Sequence, residues 1–156
     1  WLGTEAGATV NVPEEQYTVE IGKAATVSEG EDVTIVSLGM GVHHSLHAAA
    51  QLREQGVSAE VVDLRTLVPL DRDHIVNSVK KTGRLVVVDE DYQSYGVSGE
   101  IIASVVERDM SILRSPPQRV AYPDIPIPFA RHMEQWALPN AEKIVTACLK
   151  ATQTDE

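Results

Sequence analysis

Residues Asp32–Leu52 read DVTIVSLGMGVHHSLHAAAQL, and two periodicities meet inside them. The opening DVTIVSL is an apolar, β-branched run, too short for a helix, and fits a strand buried on both faces. Past Gly39-Met40-Gly41, the residues Val42, Leu46, Ala49 and Arg53 recur at helical spacing, and Gly56 supplies a C-terminal stop. A buried strand that turns directly into a helix is the first half of a strand-helix-strand unit.

The sequence downstream repeats this theme. AEVVDL (59–64) is the next strand. Asp71 then offers an N-cap, with Leu70 before it and Ile75 inside at the spacing of a hydrophobic staple. Ile75, Val76 and Val79 form the buried stripe of that helix, and Gly83 ends it. LVVVDED (85–91) is the most apolar strand, and the helix around Ser98–Arg108 shows one face to it through Ile101, Ile102, Val105 and Val106. QRVAY (118–122) is the last strand, followed by the proline-rich PDIPIPFARHMEQWALP (123–139), whose prolines predict an irregular crossing. Asn140 caps a final helix with Ala141, Ile144, Val145, Cys148 and Leu149 on one face. Upstream, residues 1–24 mix glycine, proline and acids, and read as a linker and extended lead-in. A short edge strand near Ala25–Ser28 then opens an α/β domain spanning 25–156, turned into its next strand by Glu29-Gly30. Alternation with right-handed crossovers yields a three-layer α/β/α arrangement around a largely parallel sheet.

Bulk properties exclude several classes. The chain has 156 residues, 43% hydrophobic and 23% charged, as one ordinary globular domain would. It lacks the roughly 18 uninterrupted apolar residues of a membrane span, and no signal peptide is visible. Trp1 in place of Met suggests a processed product or an excised piece of a longer polypeptide. The lone Cys148 fits a reducing compartment, cytoplasm or mitochondrial matrix. A net charge of −10 with no basic cluster argues against nucleic-acid binding and suits either solubility or a basic protein partner.

Candidate chemistry is sparse. His43 and His47 have the i, i+4 spacing of a zinc helix, but His44 stands where the catalytic glutamate belongs, and two imidazoles do not complete a site. His43 and His47 are expected beside the apolar stripe, with His44 toward water. Gly39 and Gly41 sit where a phosphate loop would, yet His44 replaces its third glycine and Asp63 is the nearest ribose acceptor. The Asp89–Asp91 run closes the third strand. Carboxylates there serve as metal ligands or an acid/base pair, or form a solvated, turn-making acidic cluster; no further acids and no late lysine complete a receiver-type pocket. If the two turns flank a topological switch point, Gly39, Gly41, His43, Asp89 and Asp91 line one crevice. Tyr92, Tyr95, Phe129 and Trp136 fall in predicted loops or the proline-rich crossing, as buried anchors or as partner-interface residues. Ser45 and Ser98 show no base-and-orienter arrangement, and Cys148 reads as an inert core residue. No catalytic set, cofactor ligand or metal ligand emerges from the residues.

The ordered string VPEEQYTVEIGKA, DVTIVSLGMGVHHSLHAAAQL, AEVVDLRTLVPLDRDHIVNSVKKTGRLVVVDEDYQSYGVSGEIIASVVE and VAYPDIPIPFARHMEQWALPN resembles the C-terminal part of the β subunit of thiamine diphosphate-dependent 2-oxo acid dehydrogenases. These include the decarboxylating component of the pyruvate, branched-chain and acetoin complexes. The resemblance runs from about Val12 to the last helix. DLRTLVPLD and YGVSGEI are its most specific pieces, and they relate it also to the last domain of transketolase. Glu20 and His132 depart from the pattern, at positions where proline is expected.

The resemblance implies a five-stranded, mostly parallel sheet with one antiparallel edge strand. It also implies that thiamine diphosphate and Mg2+ belong to the complete enzyme and not to this stretch. The α subunit holds the diphosphate and its magnesium; the preceding β-subunit domain supplies the pyrimidine pocket and catalytic histidine. His43 matches a non-catalytic position at the start of this domain's first helix. The implied partners are the subunit's own N-terminal domain, the α subunit, a second β subunit and the acyltransferase's subunit-binding domain. Two other readings stay open: a free-standing small-molecule-binding domain using the switch-point crevice, and the transketolase branch with sugar phosphates as substrates.

Overall fold

The computed structural model describes residues 13–153. Five strands, β1 (Ala25–Ser28), β2 (Val33–Ser37), β3 (Ala59–Asp63), β4 (Leu85–Tyr92) and β5 (Gln118–Tyr122), make one sheet in the order β1-β3-β2-β4-β5. Only β1 is antiparallel, against β3; the other pairs are parallel. The helices are α1 (Met40–Glu54), α2 (Arg72–Thr82), α3 (Val97–Asp109), α4 (Arg131–Ala137) and α5 (Ala141–Thr152). The expected α/β/α layering and the antiparallel edge strand are both present.

Strand alternation sorts the core into two halves. Val33 and Ile35 of β2, with Val61, Val86, Val88 and Val120, pack under Ala48, Ala49 and Leu52 of α1 and Ile144, Val145 and Cys148 of α5. Val36, Val62, Leu85 and Val87 face the other way, against Ile75, Val76 and Val79 of α2 and Ile101 and Val105 of α3. Each fully buried Val, Leu or Ile contributes about 1.5–3 kcal/mol relative to exposure. The α1 stripe lies slightly off the expected one: Gly41, Ser45, Ala48 and Ala49 are buried, Leu46 is half-buried and Arg53 is exposed. Small residues there let the helix approach the sheet closely.

The ends of α2 follow the sequence signals. The Asp71 carboxylate accepts from the His74 N–H at 3.2 Å, and Gly83 closes the helix with φ +74°. Asn140 likewise accepts from the Lys143 N–H at the start of α5. One expectation fails. The crossing after β5 is not irregular throughout, because α4 forms inside it. Residues 129–138 are a proline-free window between Pro128 and Pro139, long enough for two helical turns.

Of the expected lead-in, residues 1–12 lie outside the described residues. Residues 13–24 contain no helix or strand. Docking begins at Gly22, whose N–H donates to Thr66 Oγ1 at 3.0 Å, and at Ala24, whose N–H donates to Asp71 Oδ2 at 3.2 Å.

Candidate functional site

The strand order reverses at β2: α1 carries the chain to β3 on one side, and α2 returns it to β4 on the other. Ligands of open α/β sheets bind beyond the carboxyl ends of the strands at such a point. Gly39 and Gly41 follow β2, and Asp89 and Asp91 end β4, so the topology brings the two predicted turns to this switch point.

The switch point is filled by the chain's own groups. Ser37 Oγ donates to the Val88 carbonyl at 3.1 Å, tying β2 to β4 across the gap. A Cβ on Gly41 would stand 2.3 Å from Ser37 Oγ and 3.3 Å from Val88 Cγ1, so the start of α1 rests directly on that bridge. Gly39 turns the chain with φ +58°, and a Cβ there would meet a Glu90 carboxylate oxygen at 3.3 Å. The N-terminus of α1, the natural seat for an anion, thus has a carboxylate of β4 beside it.

Asp89 is not the solvated acid expected from its run: it is 3% exposed. Its two oxygens accept from the Asp91 N–H at 3.0 Å and the Ser98 N–H at 2.9 Å. The second bond is a cap supplied from outside the helix. The N-cap residue of α3 is Gly96, which has no side chain to offer, and a Cβ there would lie 2.9 Å from Asp89 Oδ2. Helix start and strand end are therefore locked together, and Asp89 is engaged as an acceptor. Asp89→Ala is expected to cost about 1.5 kcal/mol, because two N–H groups lose their acceptor where water reaches poorly. Urea denaturation checks this, with a lower midpoint at unchanged slope. Asp91 is exposed and accepts from the Tyr92 N–H at 2.7 Å.

The histidines do not assemble. His43 and His44 are both half-buried and His47 is exposed, which reverses the expected orientation of the last two. Seating Gly41, Ser45 and Ala48 on the sheet rotates α1 and carries His47 outward. Among the described residues, no three His, Cys, Asp or Glu side chains are grouped to hold a metal. Ser45 Oγ donates back to the Gly41 carbonyl at 2.6 Å, and Ser98 Oγ is buried with no hydrogen-bond partner, so neither has an adjacent base. Burial pushes the Cys148 thiol up to about 12, far from thiolate chemistry.

The four aromatics are all exposed, Tyr95 and Phe129 fully so. Tyr92 ends β4 rather than lying in a loop, and Trp136 lies on α4 within the proline-rich crossing. Tyr92 and Tyr95 share an open depression with Asp124, Ile125 and Pro126. Trp136 lines a separate groove, and Phe129 lines neither. The Tyr92 ring stands edge-on to buried Tyr122, with centroids 5.4 Å apart. Tyr95 has φ +65°, a left-handed backbone uncommon for a bulky residue. The loop that holds it is pinned by Ser94, whose N–H and hydroxyl donate to Asp124 at 3.1 and 2.6 Å. These bonds hold the Asp124 carboxyl below its ordinary range. Ser37, Glu90 and Asp124 escape a sequence reading because each matters only through a partner on another strand or loop.

A doubly wound five-stranded sheet with an antiparallel edge, its switch point occupied by Ser37, Gly41 and Asp89, defines the class, an open α/β domain. The family model for the transketolase C-terminal domain matches residues 22–144, and the chain belongs to that family. It is 44% identical to the pyruvate dehydrogenase E1 component subunit beta of Bacillus subtilis, over 91% of this chain and 43% of that protein. It is 47% identical to a mitochondrial pyruvate dehydrogenase E1 subunit beta-1 of Arabidopsis thaliana, over 88% and 38%. The acetoin:2,6-dichlorophenolindophenol oxidoreductase subunit beta of Bacillus subtilis is 42% identical, over 89% and 41%. Among solved structures, a split-gene transketolase described as an inactive beta4 tetramer superposes with TM-score 0.77 at 31% identity, covering 95% of this chain and 46% of that one. The chain thus spans less than half the length of each of these proteins.

Proposed function

We propose that the chain is the C-terminal assembly domain of the β subunit of a thiamine diphosphate-dependent dehydrogenase acting on pyruvate, acetoin or a branched-chain 2-oxo acid. The domain packs against its own N-terminal domain, the α subunit and a second β subunit, and helps dock the subunit-binding domain of the lipoyl acyltransferase. The complete enzyme reductively acylates the lipoyl group, in the cytoplasm or the mitochondrial matrix. The domain alone turns nothing over. The observation that carries this reading is the concentration of exposed apolar side chains, Ile127, Phe129, Met133 and Trp136, in the one segment between β5 and α5. Each half of the core is already closed beneath a helix layer without these residues, which therefore suit interface anchors; Trp136 also has the Lys143 ammonium 5.9 Å from its ring centroid. No helix among the described residues is long and apolar enough to cross a membrane.

The described residues do not fit thiamine diphosphate or its Mg2+. Glu90 lies against the turn where a phosphate would sit, and the Asp89 oxygens are committed to N–H donors. In the proposed enzyme the cofactor supplies the carbanion chemistry from a site built by other domains. Calorimetry of this chain with thiamine diphosphate and Mg2+ tests the division of labour: no binding heat is expected, and micromolar affinity would refute it. The acyltransferase's subunit-binding domain should bind this chain less tightly as salt rises, because the net charge is −10. Affinity indifferent to ionic strength would remove the electrostatic part of the docking proposal.

A further inference from the structure

The sheet has two outer strands. On β1 the pairing is only four residues long and broken by a bulge, two devices that blunt an edge. The other outer strand, β5, pairs with β4 on one side and with no strand on the other among the described residues. Along its free edge, between β5 and α5, runs a groove of 570 Å³. On the helix side its cations are Lys143 and Lys150 against one acid, Glu142, a positive balance in a chain of net charge −10, and Arg119 of β5, whose guanidinium donates to the Gln93 carbonyl at 2.7 Å, stands at its strand rim. Arg119 alone would be an ordinary guard against edge pairing. The lysines of α5 do not fit that role, because they line the helix side of the groove. Lys143 is partly stripped of water, which lowers its pKa, and its ammonium meets the Trp136, Ala137 and Leu138 carbonyls and lies 5.9 Å from the centroid of the Trp136 ring, with no carboxylate among these partners.

The same molecule carries a segment complementary to this groove. Residues 13–20 are exposed, and among the described residues no hydrogen bond engages the chain before Gly22. Tyr17, Val19 and Ile21 alternate with Gln16, Thr18 and Glu20, the period of a strand with one apolar face, and all three apolar side chains are exposed. Acids flank it on both faces: Glu15 falls on the apolar face, Glu14 and Glu20 on the other. Val120 of β5 belongs to the core half under α1 and α5, so Arg119 points to the opposite side of the sheet. An added strand therefore sets Glu15 toward the α5 lysines and Glu14 and Glu20 toward Arg119.

We infer that Pro13–Ile21 of one copy adds as a sixth strand to β5 of a second copy, with Tyr17 and Val19 seated in the groove over α5. The lead-in cannot serve its own β5, because it docks at Gly22 beside β1, at the far edge of the sheet. This goes beyond the proposed enzymatic role and does not depend on what the assembled enzyme catalyses.

Sedimentation velocity on the chain tests the inference by complementation. A lead-in variant, Tyr17→Glu with Val19→Glu, and a groove variant, Arg119→Glu with Lys150→Glu, alter only exposed side chains, and unchanged thermal melts confirm that both fold. The wild type should associate with rising concentration at low salt. Each variant alone should associate at least about tenfold more weakly. An equimolar mixture should regain association, because the groove variant keeps an intact lead-in and the lead-in variant keeps an intact groove. A wild type that stays monomeric, association that neither variant weakens, or a mixture no better than its components would each overturn the inference.

Discussion

Gly30→Ala is expected to destabilise the domain by about 3 kcal/mol, a loss of roughly 10 °C in melting temperature. The reason lies in the topology. β1 and β2 flank β3, so the link between them must pass over the start of β3 across two strand spacings, roughly 10 Å. Gly30 is the buried residue of that link. A Cβ on it would stand 2.2 Å from Ala59 C and Glu60 N and 2.6 Å from Ala59 O. These are backbone atoms of a strand paired on both sides, so they have nowhere to move. The link is also stitched to the strand it crosses. Glu31 and Asp32 N–H donate to Ser58 O at 3.2 and 2.9 Å, and the Ser58 N–H returns a bond to Asp32 at 2.7 Å. Lifting the link to make room for a methyl group strains all three bonds and loosens β1. Gly56→Ala is the control, because Gly56 has φ +79° but nothing within 4 Å of its Cβ position. It should lose only about 1 kcal/mol, from backbone strain alone. Equal losses at the two positions would show that conformational freedom, not the close crossing, explains Gly30.

That crossing shows where sequence reading stops. Glu29-Gly30 was legible as a turn, but whether it joins neighbouring strands or steps over a third depends on strand order, which local periodicity does not encode. The elements themselves were legible because local physics fixes them. QRVAY spans β5 end to end, Asp71 and Asn140 cap as their side chains permit, and Gly83 takes the left-handed conformation that stops α2. The site was half legible. The turn at Gly39 lies beside Glu90 at the end of β4, where the strand order reverses. Its closure by Ser37 and Glu90 depends on contacts about 50 residues apart in sequence, such as Ser37 Oγ to the Val88 carbonyl, 51 residues on. Gly96 carried the one usable hint. A glycine at a helix start, with no Ser or Asp to cap it, requires an acceptor from elsewhere. The buried polar chain under α2 was equally hidden. Glu60 alternates with apolar neighbours as a solvent-facing strand residue would, yet its face is covered by α2.

Lys81→Met is expected to cost about 2 kcal/mol, and the loss should fade at alkaline pH. Thr34 of β2 and Glu60 of β3 sit side by side on the α2 face. The Thr34 hydroxyl lies 2.8 Å from those of Ser78 and Thr82, and Ser78 donates to Glu60 Oε1 at 2.5 Å. The other Glu60 oxygen is met by the Lys81 ammonium, which also reaches Glu29 at 3.1 Å. The Glu60 side chain is 3% exposed and that of Lys81 41%, so the lysine is the partly wet half of a pair whose carboxylate is dry. Removing it leaves a buried charge with one hydroxyl for company, which for a fully buried pair costs about 3–5 kcal/mol; water around Lys81 reduces the figure. The Glu60 hydrogen bond, ahead of every other cause, holds Lys81 above its ordinary value of 10.5. A group whose native pKa is raised contributes fully below its unfolded value and loses the contribution as pH rises through the native one. Wild type and Lys81→Met should therefore differ by a constant amount at neutral pH and converge only above about pH 10.5. Adding Glu60→Met removes the orphaned carboxylate while Ser78 keeps Thr34, so the double variant should recover most of the loss. Thermal melts of the three proteins across neutral and alkaline pH decide the matter. A double variant no more stable than Lys81→Met alone would mean that packing of the lysine stem over the pocket, and not compensation of a buried charge, is what Lys81 provides.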